Sequence, residues 1–162
     1  MEFYETPEGR LGFTHIPPVA ADLLRLIPRW TDHESEAAEA RLFPNPSSEP
    51  GEDTLRDDWK AFVQPELHVL FQDARQIVEA DLRAMKEDEE GSFFLEFPLK
   101  HAEAWVSALN QARLALAAQH GLEEREMDRE EPVEVFNARD LALLQIDFYA
   151  GLQIWFVEIL DR

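Results

Sequence analysis

The stretch RDLALLQIDFYAGLQIWFVEILDR, residues 139–162, decides how this chain is built. Taken as a helix turning about 100° per residue, Leu141, Leu144, Phe148, Leu152, Trp155 and Ile159 form one apolar stripe. Leu143, Ile146, Tyr149, Phe156, Val157 and Leu160 widen it past what one neighbour covers, and charge is confined to a strip of Asp140, Asp147, Glu158 and Asp161. Such a helix is expected to be surrounded, either as the central post of a helical domain or as half of a subunit interface. The expected interface residues are Phe148, Leu152, Trp155 and Phe156, in a homodimer whose isologous contact covers the second face. The length of the stretch raises the membrane question. Gln145, Asp147, Gln153 and Glu158 lie within it, and acids at mid-bilayer are costly, so burial in protein is the expectation.

Upstream, the spacing of Leu99, Ala102, Val106, Leu109 and Leu116 predicts a helix from Pro98 to about His120, with Gly121 at its C-terminal cap. Leu67, Leu70, Phe71, Ala74, Ile77, Val78, Leu82 and Met85 predict another, with Pro65 in its first turn. A shorter helix begins at Asp53 or Thr54, with Leu55, Trp59 and Phe62 facing inward, and others cover about Pro18 to Trp30, where Pro28 kinks or ends the helix, and Glu34 to Leu42. Phe13-Thr14-His15-Ile16-Pro17 and Phe94-Leu95-Glu96-Phe97-Pro98 share a pattern of aromatic, two residues, apolar, proline. Both read as short strands that pair with each other. The fold expected is mainly α: one domain over 1–162, five or six helices around a central C-terminal helix, and a minor two-stranded β element. A Pro-rich loop spans 43–52 and an acidic loop 122–136, and Asn137 caps the last helix.

At 162 residues roughly 70% of the unfolded chain's surface can be buried on folding. Eleven Phe and four Trp supply a core. Fifteen Lys and Arg against thirty-four Asp and Glu give a net charge of −19, which repels nucleic-acid phosphates and anionic lipid and favours a basic protein partner or a cation. No cysteine is present, which excludes disulfides, thiolate catalysis and Cys-ligated zinc. Glu2, Glu5 and Glu8 at the N-terminus oppose a secretory signal, so a cytoplasmic location is expected.

Motifs for chemistry are sparse. His33-Glu34 opens like a zinc-protease helix, but Ala37 stands where the second histidine belongs. His15, His33, His68, His101 and His120 show no metal-ligand spacing, no serine sits in a nucleophile elbow, and no glycine-rich loop cradles phosphate. Asp57, Asp58, Asp73, Glu79 and Asp81 fall on predicted helices, where carboxylates could gather around a cation, yet no acid is followed three residues later by His. A solvated acidic face is the plainer reading. No catalytic residue, metal or cofactor is therefore assigned. The most specific polar feature is Asn110 with Arg113: Arg113 projects from an apolar stripe and requires a partner, for which Asp147 or Asp81 are the candidates. Either a partly buried ion pair fixes helix register there, or the two residues bind a small anion. Arg41 is a similar case.

Ala40-Arg41-Leu42-Phe43-Pro44, Glu79-Ala80-Asp81-Leu82-Arg83 and the run from Ala104-Trp105-Val106 through Asn110-Gln111-Ala112-Arg113-Leu114 resemble the bacterial domain of unknown function 2017 family. The order of these segments extends the resemblance over most of the chain. It implies relatedness rather than an activity, since the family has no assigned functional residues, and a link to proteolysis through genes near that of the Clp protease adaptor. Two functions compete: a non-enzymatic protein-interaction or regulatory module, and a small-ligand or metal-binding protein or enzyme using a carboxylate cluster or an anion site at Arg113.

Overall fold

The computed structural model describes residues 1–31, 35–127 and 134–162. It is mostly helical with a four-stranded antiparallel sheet of β1 (Glu2–Glu5), β2 (Arg10–Ile16), β3 (Lys86–Glu87) and β4 (Phe93–Pro98), ordered β1-β2-β4-β3. The two phenylalanine-to-proline segments do pair, Phe13 opposite Leu95 and Leu11 opposite Phe97. The two-stranded element is nevertheless corrected to four strands. A bare ribbon leaves backbone groups unpaired on both edges, and the short segments at Glu2 and Lys86, which show no strand alternation, satisfy them. Phe13 and Ile16 are both fully buried although strict alternation would send them to opposite faces. A register shift between them, with His15 in the left-handed region at φ 50°, adds the residue that turns Ile16 inward.

The helices are α1 (Pro18–Thr31), α2 (Glu36–Leu42), α3 (Asp53–Asp58), α4 (Gln64–Arg83), α5 (Ala102–Gln119), α6 (Glu124–Met127) and α7 (Ala138–Leu160). Pro28 lies inside α1, which continues to Thr31. Pro98 closes β4 instead of opening a helix; a 3-10 turn, Leu99–His101, precedes α5. The expected acidic loop contains the short helix α6, and Leu122 at its start is buried. His33 and Glu34 lie outside the described residues.

The centre of the fold is α5, not the C-terminal helix. It packs against α1, α2, α4 and α7 and buries Ala102, Trp105, Ala108, Leu109, Ala112 and Leu116. Its alanines let several helices approach one axis, whereas the bulky side chains of α7 fill one broad seam. That seam is Gln145, Ile146, Tyr149, Leu152, Phe156 and Ile159; Asp147, Gly151, Ile154 and Glu158 on the opposite side are exposed. By length and hydropathy α7 could cross a membrane, but here it lies along α5. Between helices and sheet sits an aromatic stack in which the Trp105 ring is 5.0 Å from Phe97 and 5.5 Å from Phe156, nearly parallel to both.

From Asp53 to Arg83 the chain is one helix, with a π turn at Trp59–Val63 joining α3 to α4. Pro65, expected to begin a helix, lies inside it. Proline has no N–H to give the Ala61 carbonyl and its ring collides with that carbonyl in an α-helix, so the turn before it widens. The Gln64 N–H accordingly donates to Trp59 O, five residues back.

Candidate functional site

The stripe Leu55, Trp59, Val63, Leu67, Phe71, Ala74, Val78 and Leu82 runs the length of that helix. The four steps of four from Leu55 to Phe71 would drift by about 160° in a pure α-helix, and the wider π turn absorbs part of that drift. At the C-terminal end the stripe does ordinary core work, with Ala74, Val78 and Leu82 buried. No residue from 53 to 73 is buried. The expectation that Leu55, Trp59 and Phe62 face inward is corrected: Leu55 is 48% exposed and Phe62 70%, and only Trp59 is half-covered. Leu70 at 61%, Val63 and Val69 extend the exposed apolar surface. Periodicity placed the side chains on one face, but the core they were to meet ends at Ala74.

The inner flank of this helical arm is held by polar contacts. Arg56 donates to the carbonyls of Ser47 and Glu49, 3.3 and 3.1 Å, which ties the Pro-rich loop to the arm. Gln64 Nε2 donates to Glu39 Oε1 at 3.1 Å, and Phe43 stacks beside His68 and Phe71 at 4.1 and 5.4 Å. Behind them lies a cleft of about 430 Å³ lined by Glu36, Glu39, Phe43, His68, Arg75 and Gln111, among others.

Arg113 is half-buried and Asn110 exposed. The partner of Arg113 is an amide rather than either expected carboxylate: Nη1 donates to Gln153 Oε1 at 2.8 Å, joining α5 to α7. Asp81 serves elsewhere. It is 8% exposed, accepts from Trp105 Nε1 at 2.9 Å, and lies 3.0 Å from His101 Nδ1. This clamp fixes the start of α5 to the end of α4. Asp57, Asp58 and Asp73 are exposed on the arm, and among the described residues no group of three or more His, Asp or Glu comes together as a metal site.

The four α7 residues expected at an interface are occupied within the subunit. Leu152 and Phe156 are buried, Phe148 packs on the core, and Trp155 stacks on Phe3 at 4.3 Å and against Phe13 at 5.4 Å. Tyr149 donates its hydroxyl to Leu23 O at 2.7 Å, and burial raises its pKa well above the ordinary phenol value. The first turn of α7 is capped by Asn137, which accepts from the Arg139 and Asp140 N–H groups. Arg139 pairs with Glu126 at 2.6 Å, holding that carboxyl below its usual range. Arg41 donates to Leu122 O at 2.6 Å, next to the turn at Gly121 that ends α5.

A family model described as Domain of unknown function (DUF2017) matches residues 12–160. The chain belongs to that family. No curated protein and no solved structure matches it. The segments that carry the family resemblance are built into the packing: Asp81 and Trp105, from two of them, form the clamp between α4 and α5, and Arg41, from the third, secures the turn after α5. The exposed surface of the arm lies outside all three.

Proposed function

We propose that this member of the family is a non-enzymatic protein-interaction module of the cytoplasm, with the outward surface of the arm, residues 53–73, as its contact face. The observation that carries this reading is the apolar stripe that outruns the core: one helix supplies buried core residues at Ala74, Val78 and Leu82 and leaves Leu55, Phe62, Val63, Val69 and Leu70 exposed beyond them. Scattered exposed apolar residues are normal, but a row along about 22 Å of helix is the form a helix-packing interface takes. The test uses purified chain and its Leu55→Lys/Leu70→Lys variant in photo-crosslinking within native extract. Specific adducts lost in the variant, with the melting temperature unchanged, support the reading; identical adduct patterns refute it.

A second reading, small-ligand binding, is favoured by the cleft beside Gln111, His68 and Arg75. Thermal shift against small anions and divalent cations tests it, and stabilisation lost on Gln111→Leu would move the site there.

A further inference from the structure

Building on the interaction reading, we infer that the arm takes a basic amphipathic helix of another protein, laid along its exposed apolar row with a Lys and Arg edge over a row of acids. Leu55, Val63 and Leu70 stand at steps of eight and seven. Eight residues would swing about 80° around a pure α-helix, but the wide turn at Trp59–Val63 takes up the extra residue, so the three share one side. Asp58, Glu66 and Asp73 repeat the same steps, each three residues after its apolar counterpart, and form a second row beside the first. Phe62 lies between Asp58 and Glu66, four residues from each, and Val69 lies three beyond Glu66. All of these residues are exposed.

The two rows together select the occupant. The other flank of the apolar row is closed: Trp59 and Leu67 are half-covered, and Phe71 lies against Phe43. A docked helix therefore meets one open flank, and that flank is acidic. Among the described residues Asp58, Glu66 and Asp73 meet no cation. Lys60 stands two residues from Asp58 and Phe62, which turns it to another side, and Arg56 is tied to the carbonyls of Ser47 and Glu49. The acids recur about every 11 Å, so the fitting partner carries Lys or Arg about once in two turns along one edge of its apolar seam. The net charge of −19 adds a long-range field that draws such a helix in and opposes a second copy of this chain.

Fluorescence anisotropy with the full chain tests this using labelled peptides of about 21 residues, three heptads each. One has a leucine seam edged by Lys, one has the same seam edged by Glu, and one scrambles the first, keeping its charge and losing the seam. Expected is micromolar binding of the Lys-edged helix alone, weakening as NaCl rises from about 0.05 to 0.5 M. Asp58→Asn/Glu66→Gln/Asp73→Asn should weaken it about tenfold, and so should Leu55→Ser/Leu70→Ser. Glu87→Gln/Glu89→Gln/Glu90→Gln removes the same charge from exposed positions off the arm and should change binding less than about twofold. Circular dichroism confirms that the variants fold. Equally tight binding of the scramble or the Glu-edged peptide overturns the inference, as does an equal loss in the two charge-removing variants. So does a dimer in sedimentation that dissociates on Leu55→Ser/Leu70→Ser, which would give the row to a second copy. If the Lys-edged peptide shows no preference but adducts in native extract are still lost in Leu55→Lys/Leu70→Lys, the basic-helix inference fails and the interaction reading stands; if those adducts persist in that variant, both fail.

Discussion

Replacing Asp81 by alanine should be among the more damaging single changes outside the apolar core, and the structure says why. The carboxylate is 8% exposed and accepts from the indole N–H of Trp105, itself fully buried, and from His101. Truncation leaves the indole donor with no partner and no water, at a cost of about 1–3 kcal/mol, and removes a charge-assisted bond worth a similar amount. Allowing for overlap, the expected loss is about 2–4 kcal/mol, or roughly 5–15 °C in melting temperature for a chain this size. Asp81→Asn keeps one acceptor and should cost about half as much. Urea denaturation followed by circular dichroism measures both. The decisive comparison is made in Trp105→Phe, where the donor is already gone: there Asp81→Ala should cost only about 1 kcal/mol, a coupling of 1 kcal/mol or more between the sites. Additivity within about 0.5 kcal/mol would refute the claim that the orphaned indole dominates.

Tyr149→Phe should lose about 1 kcal/mol with its bond to the Leu23 carbonyl. Because burial raises the Tyr149 pKa, the folded state holds that proton more tightly than the unfolded chain; its contribution is complete below the ordinary phenol pKa of about 10 and is lost above it, so Tyr149→Phe should flatten alkaline unfolding, as denaturant titrations against pH will show. Glu126 shifts the other way: its lowered pKa stabilises the junction of α6 and α7 above the ordinary carboxylate range and is lost as pH falls through the folded value, so acid should loosen residues 123–127 first, and Glu126→Gln should abolish that step in amide exchange. Leu109→Ala, at the buried centre of α5, should cost about 2–5 kcal/mol, whereas Phe62→Ser on the arm should change monomer stability by less than about 0.5 kcal/mol; equal losses in chemical denaturation would contradict the exposure of the arm.

Hydrophobic spacing located the helices well, because each has a face that must meet the core. The solvent side of α7 was legible too: Asp147 and Glu158 mark it. The width of the apolar surface on α7 suggested a surrounded helix, yet only one seam of it is buried, Leu141, Leu144, Val157 and Leu160 stay exposed, and the alanines of α5 make that helix the centre. Alanine carries little weight in a hydrophobic stripe and much in how closely helices pack, so its role was hidden. The edge strands at Glu2 and Lys86 escaped notice because backbone pairing, not side-chain alternation, recruits them. Pro65 looked like a helix start because a proline signals both a beginning and, after a π turn, a continuation. Periodicity likewise fixed the direction of Leu55 and Phe62 without revealing that the core stops short of them. Arg113 was correctly singled out as needing a partner, but an amide one helix away fulfils the need as well as a carboxylate, and residue type alone does not choose between them.

The account turns on one helix whose apolar row is core at one end and exposed at the other. The chain has no cysteine, so single cysteines at Leu70 and Val78 can be labelled with a maleimide without background. Labelling at Leu70→Cys should be fast, while Val78→Cys stays slow until the chain unfolds. Equal rates at the two positions in the folded chain would contradict the account.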